Sequence, residues 1–288
     1  MLSTSLGGNA MLYLSRQVFC KASFVLLCLW AGSAMAAGAA APGAAQCEKP
    51  IWQDEFDGQQ LDASRWRHVP GDGCDQNLCG WGNGEEQWYL PKNVRVADGA
   101  LRITAQREKH QGRKYTSGKI STEGLVSFVH GRIEARMKLP KGAGFWPAFW
   151  AMPANTDLQW PLAGEIDILE NSGHTPEKVL GAIHFGNPWP DNVHYSESIL
   201  APKDWGDEFH VYGVHWSEDE IRWYVDDKEY GVATPKDVAP YPWLFNDSAF
   251  YLILNVALGG TLGGEIDKSV LPGELVVDYV RVYAADCP

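Results

Sequence analysis

Gly131-Arg132-Ile133-Glu134-Ala135-Arg136-Met137-Lys138 alternates apolar and charged side chains along its length. On an extended chain Ile133, Ala135 and Met137 share one face, and Arg132, Glu134, Arg136 and Lys138 the other. That is the pattern of a half-buried strand. Short runs of the same character flank it: Leu101–Ala105, Phe209–Trp216, Glu220–Asp226, Phe250–Ala257 and Glu274–Tyr283. Gly, Pro, Asn or Asp closes them, and Ile221–Tyr230 reads as strand, Asp-rich turn and strand. No amphipathic helix of ordinary length competes between Gln46 and Pro288. Many short strands separated by turn residues predict an all-β chain of two antiparallel sheets packed face to face. No repeat period or linker interrupts residues 47–288, which are expected to form a single domain.

The first part of the 288-residue chain reads differently. Arg16 and Lys21 precede an apolar run, Ala22–Ala31, and the small-residue site Ala34-Met35-Ala36 follows. This order predicts a secretory signal peptide over residues 1–36. The run is shorter than the roughly 20 residues of a bilayer-spanning helix. Residues 37–46, rich in Ala, Gly and Pro, are expected to be a flexible lead-in. The mature protein would then be secreted or periplasmic, with no membrane association after cleavage. Four cysteines would remain. Cys47 and Cys287 mark the ends of the folded region, and Cys74 and Cys79 flank an Asp/Asn-rich loop, so the pairings Cys47–Cys287 and Cys74–Cys79 are favoured among the three available.

Removing Arg16 and Lys21 leaves 22 basic against 36 acidic residues, a net charge of −14. Such a balance argues against nucleic acid as a partner, because phosphate backbones need clustered Lys and Arg. A neutral polymer remains compatible. Tryptophan is abundant, at 13 residues. Trp81, Trp88, Trp160 and Trp189 stand on loops rich in Gly, Pro and Asn, and Trp146 and Trp150 in Gly144–Trp150. Any one of them can be core packing, but loop indoles present the flat apolar face and polar edge that suit sugar rings.

One stretch does not fit a purely structural reading. Gly164-Glu165-Ile166-Asp167-Ile168-Leu169-Glu170 places three carboxylates within six residues of a strand-like aliphatic run. Glu165 and Asp167 share a face. Strict alternation would turn Glu170 inward among the isoleucines, where an ionised carboxylate is costly. One extra residue, a β-bulge, returns Glu170 to the face of the other two. Three acids then line one groove, where they cannot all ionise freely, and at least one is held protonated near neutral pH.

Glu165-Ile166-Asp167-Ile168-Leu169-Glu170 resembles the E-x-D-x-x-E signature of glycoside hydrolase family 16 in its bulged form. Trp52–Phe56, Asn93–Val96, Gly131–Arg136, Trp146–Pro153, Ile183–Gly186, Phe209–Tyr212 and Val277–Tyr283 are also similar to that family, in particular to its endo-β-1,3-glucanases. The resemblance implies a jelly-roll sandwich with a substrate cleft on the concave sheet. It further implies endo-hydrolysis of β-1,3-glucosidic bonds with retention, through a covalent glycosyl-enzyme intermediate. Glu165 would be the nucleophile, Glu170 the general acid/base, and Asp167 would tune the pair. Substrate contacts would come from Trp146, Trp150, Trp160 and His184, and from Asn83 and Glu86 in a register left open by one residue. His184 can equally be structural, and Asn255 is either a cleft residue or a satisfied strand amide. Lys119 stands where Arg is frequent and lacks its bidentate fork. Similar enzymes carry a structural calcium ion, whose matching positions here are Glu55, Gly99 and Asp278. Catalysis itself would need no cofactor, and a monomer acting on β-glucan is expected. Mixed β-1,3-1,4-glucan, galactan, and glucan binding without turnover are the alternatives.

Overall fold

The computed structural model describes residues 49–154 and 157–285. The signal peptide, the lead-in and the Cys47–Cys287 pairing fall outside them. Cys74 and Cys79 are bonded to each other.

Alternation governs the strand Gly131–Lys138 as its sequence requires. Ile133, Ala135 and Met137 are at most 2% exposed, and Arg132, Arg136 and Lys138 are partly exposed. Glu134 departs from the pattern. It is on the outward face yet buried, because the hydroxyl of Tyr224 donates to it at 2.8 Å. This strand sits mid-sheet in the order Lys228–Ala233, Ile221–Val225, His210–Trp216, Gly131–Lys138, Gly273–Tyr283, Ala100–Ala105, Val94–Ala97, and Trp52–Asp54 also pairs with Gly273–Tyr283. We call this the outer sheet.

The second sheet runs Asn192–Leu200, Thr175–Gly186, Glu165–Ser172, Phe145–Pro153, Phe250–Leu258, Lys119–Ser121, Arg67–His68. The acidic stretch lies near its centre. All pairings in both sheets are antiparallel, and a short parallel pair, Gln87–Tyr89 with Tyr115–Ser117, stands apart. Chain order and spatial order disagree in a telling way. Phe250–Leu258 returns to pair with Phe145–Pro153, and Gly273–Tyr283 with Gly131–Lys138. Such long-range returns in each of two antiparallel sheets make a jelly-roll sandwich rather than a meander.

The core lies between the sheets. Ile166, Ile168, Leu169, Phe149 and Leu254 from the acid-bearing sheet join Ile133, Met137, Val214 and Trp223 from the outer sheet in one apolar cluster. Each such side chain, fully buried, stabilises the fold by roughly 1.5–3 kcal/mol. With its aliphatics anchored inward, the acidic strand can present its carboxylates only on the opposite face.

Candidate active site

Three side chains of the strand Glu165–Ser172 face the cleft, and a bulge selects them. Asp167 pairs with Trp150 and Leu169 with the adjoining Phe149, so Ile168 is the extra residue. On the other side the register also shifts between Asp167 and Glu170, which pair with Ala182 and Leu180. Ile168 and Leu169 are both buried, at 1% and 0% exposure. Glu170 is thereby returned to the face of Glu165 and Asp167. A residue from the outer sheet secures the kink: the Trp223 indole N–H donates to the Asp167 carbonyl at 2.8 Å. Gly181, opposite the bulge, makes room for it. A Cβ there would lie 2.1 Å from the indole Cδ1.

Each glutamate is held by one indole. The Trp160 N–H donates to Glu165 Oε2 at 2.6 Å, and the Trp146 N–H donates to Glu170 Oε1 at 2.8 Å. Glu165 also shares a side-chain hydrogen bond with Asp167. Glu165 pairs in register with His184, whose Nε2 lies 3.1 Å from Asp167 Oδ2.

Electrostatics separates these groups from ordinary surface acids. Burial pushes the Glu165 carboxyl above its usual range, and the Asp167 charge adds to the rise, while His184 and the Trp160 donor oppose it. Glu170 is raised for the same leading reasons, burial and then Asp167, against the Trp146 donor. Both glutamates are half-buried. Burial alone would lower His184. The Asp167 carboxylate, followed by Glu165 and Glu170, outweighs it and raises the imidazole to about 9. The surrounding carboxylates thus favour the charged imidazole.

Among the described residues, Glu165, Asp167 and His184 form the one group with ligand-type atoms close enough to hold a metal, all within 4.8 Å. Within that group His184 is placed as the charge partner of Asp167.

The floor continues across the neighbouring strands. Glu170 pairs with Ala148, Ala148 with Asn255, and Asn255 with Lys119. Asn255 Oδ1 accepts from the Trp150 indole at 2.7 Å, and its Nδ2 donates to the Tyr89 hydroxyl at 3.1 Å. Tyr89 passes the chain on, donating to Glu85 Oε2 at 2.9 Å. Asn255 is thus both a satisfied amide and part of the site. The Lys119 ammonium sits 3.9 Å from the Trp81 ring centre and 4.9 Å from that of Trp150. Burial lowers it to about 8 against the charges of Glu85, Glu165 and Glu123.

Sequence reasoning selected Asn83 and Glu86 from this loop, and both are exposed. The carboxylate wired into the floor is their neighbour Glu85, which is 6% exposed. Its loop is tied by the Cys74–Cys79 bond and by Arg113, which holds Asp72 at 2.9 Å and the Glu85 carbonyl at 3.1 Å. The alternation of buried Glu85, Gln87 and Tyr89 with exposed or half-exposed Glu86 and Trp88 was the available signal. Tyr89 and Trp223 also escaped selection, because their partners lie far away in sequence.

The positions matched to calcium are engaged elsewhere. Arg281 clamps Glu55 with two hydrogen bonds, at 2.8 and 2.7 Å. Asp278 accepts from Arg136 at 2.7 Å. Gly99 lies in the turn between Val94–Ala97 and Ala100–Ala105. Two carboxylates neutralised by two guanidinium groups do not fit a hard cation needing six to eight oxygen ligands. Ion pairs stand where a calcium site was expected.

The model for the glycosyl hydrolases family 16 matches residues 84–281. The glucan endo-1,3-beta-glucosidase A1 of Niallia circulans is 40% identical over 259 residues, which are 81% of this chain and 37% of that protein. The beta-glucanase of Rhodothermus marinus is 40% identical over 249 residues, covering 81% of this chain and 84% of that one. The X-ray structure of an endo-beta-1,3-glucanase from Pyrococcus furiosus aligns with a TM-score of 0.77 at 39% identity, over 82% of this chain and 94% of that one. The bulged acidic strand, the jelly-roll around it and these matches together show that the chain belongs to the glycosyl hydrolases family 16.

Proposed function

We propose that this chain is an exported, monomeric endo-hydrolase of β-glucan that cleaves internal β-1,3 bonds with retention of configuration. One observation carries the reading. Two glutamates share a cleft face through a bulge, and each is fixed by an indole donor and raised by burial beside a common aspartate.

In the first half-reaction the ionised Glu165 attacks the anomeric carbon. Glu170, still protonated, gives its proton to the departing glycosidic oxygen, and a glycosyl ester forms on Glu165. Glu170 then takes a proton from water, which attacks the same carbon from the opposite side and frees Glu165. Asp167 serves both halves, because its charge keeps a proton on the acid and holds His184 in place. The indoles of Trp146 and Trp150 offer flat faces to the sugars, and Lys119, Asn255 and Glu85 line the floor beside them. Relatives whose names specify β-1,3-glucan support the linkage.

The test has two parts. Products after incubation with laminarin, lichenan, agarose and xyloglucan define the substrate. Oligosaccharides from laminarin are expected, and products from agarose alone would refute the reading. Glu165→Ala should stop turnover, and azide should restore part of it as an α-glycosyl azide. A β-glycosyl azide would instead identify Glu165 as the acid/base.

A further inference from the structure

The outer sheet carries a cavity of its own, of about 610 Å³, within the roughly 300–1,000 Å³ of small-ligand sites. It opens on the solvent side of that sheet. Both sheets and the core between them, about 10 Å across, separate it from the cleft. A glycine makes the hollow. Gly213 stands in register between Glu134 and Tyr224. It is on the outward face, because its neighbours Tyr212 and Val214 belong to the core. A Cβ there would lie 2.4 Å from the Tyr224 ring. The phenol therefore lies down across Gly213, and its hydroxyl donates to the buried Glu134 carboxylate at 2.8 Å. A flat ring thus lines the cavity where a standing side chain would fill it.

A second bulge builds one wall. Trp223 pairs with Gly231 and Tyr224 with Glu229, so Tyr230 is the extra residue. The shift brings Glu229 level with Tyr224 on the outward face, where both its oxygens accept from Arg222 at 3.1 Å. Tyr279 lines the opposite side, backed by the Arg281 guanidinium 3.7 Å from its ring centre.

The chemistry of the lining narrows the ligand. Two guanidinium groups, Arg132 and Arg222, meet four carboxylates, Glu134, Asp226, Asp227 and Glu229. Even a protonated His215 leaves this lining acidic, so an anion is disfavoured. Among the described residues only Glu165, Asp167 and His184 bring three ligand-type atoms together, so these carboxylates are too dispersed to cage a metal. An apolar ligand would strand the charged groups. A neutral polyol meets none of these objections. Its C–H face suits the tyrosine rings, and its hydroxyls suit paired donors and acceptors.

We propose that this cavity is a second, non-catalytic site for a β-glucan chain, which holds the enzyme on an insoluble polymer while the cleft cuts a neighbouring chain. The choice of β-glucan rests on the hydrolase reading above. Two sites on opposite faces cannot share a short oligosaccharide. They can engage two chains of one particle, and the second contact then multiplies the first.

The test uses two variants that leave the cleft untouched. Arg222→Ala/Glu229→Ala removes a partly exposed pair, and Tyr279→Ala removes a ring. Binding is read by depletion onto an insoluble linear β-1,3-glucan, in a Glu165→Gln background that prevents turnover. Hydrolysis of a soluble β-1,3-linked hexasaccharide is read with Glu165 intact. The double variant should weaken binding to the insoluble glucan about tenfold, with a smaller loss for Tyr279→Ala. Both should keep the wild-type kcat/KM on the hexasaccharide, which also reports an intact fold. Undiminished binding of the double variant would overturn the proposal. So would an equal loss on the hexasaccharide in both variants, because the face would then act through the cleft. A wild-type chain inactive on the hexasaccharide would refute the β-1,3-glucanase reading, and the proposed ligand with it.

Discussion

The two sheets handle charge in opposite ways. On the outer sheet carboxylates meet guanidinium groups: Glu55 with Arg281, Asp278 with Arg136, Glu274 with Arg95 and Arg102, and Glu220 and Glu229 with Arg222. Those pairs are partly solvated and contribute little each, typically 0–1 kcal/mol. On the acid-bearing sheet Glu165, Asp167 and Glu170 crowd together, with indole N–H groups and one imidazole in place of arginines. One face lowers the energy of its charges, and the other keeps it high. Unrelieved charge beside a cleft is what acid–base chemistry uses.

That contrast is broken most sharply by removing charge. Glu170→Gln and Glu165→Gln should each lower kcat on laminarin by at least about 10³-fold, in the range of lost general acid–base or nucleophilic catalysis. Glu55→Gln on the outer sheet should leave kcat unchanged. Stability should move the other way. The fold raises the Glu170 carboxyl, so its protonated form is favoured. That contribution is complete below the ordinary value of 4.5 and is lost as pH rises through the neutral range. Glu170→Gln keeps an oxygen for the Trp146 donor and no longer ionises. Its Tm should therefore exceed wild type at pH 7–8, by about 2–4 °C for each kcal/mol of relief, with no gain at pH 4. A lower Tm at pH 7–8 would show that the carboxylate is not strained.

Trp223 tests whether the outer sheet contributes to the site. Trp223→Phe keeps most of the packing and leaves the buried Asp167 carbonyl without its donor, a loss of about 1–3 kcal/mol. The bulge should loosen, and kcat should fall roughly tenfold or more with KM little changed. A fall in Tm without any change in kcat would mean that the bulge holds without the indole.

This dependence also explains what the sequence could and could not disclose. The bulge was legible because an odd offset between Asp167 and Glu170 conflicts with a period of two, and one inserted residue removes the conflict. The half-buried strands were legible for the same local reason. Trp223 and Asp167 are 56 residues apart and lie in different sheets, so no local pattern links them. Telling buried Glu85 from exposed Glu86 turned on one residue of register in a loop held by Arg113, where periodicity gives only a weak guide. At the positions matched to calcium the residue types suited the ion, while Arg136 and Arg281 reach Asp278 and Glu55 only in the folded sheet.

The pH profile sharpens the comparison further. Asp167 raises both glutamates and His184 lowers both. Asp167→Asn should therefore move the alkaline limb of kcat/KM to lower pH, since Glu170 then gives up its proton more readily. His184→Gln should move the limb to higher pH by removing the opposing cation. Shifts of the same sign in the two variants would mean that they act through geometry, and not through charge.

The smallest effect concerns the outer sheet alone. A calcium ion bound between Glu55 and Asp278 would have to break the two-point Arg281 clamp and the Arg136 pair, and would then lie against both guanidinium groups. The arginines already supply the positive charge that an ion would bring. EDTA should accordingly leave Tm unchanged, and Glu55→Gln should cost less than about 1 kcal/mol. A drop of several degrees on chelation, restored by calcium, would show that one sheet holds its acids with a metal and that the arginine pairs yield to it.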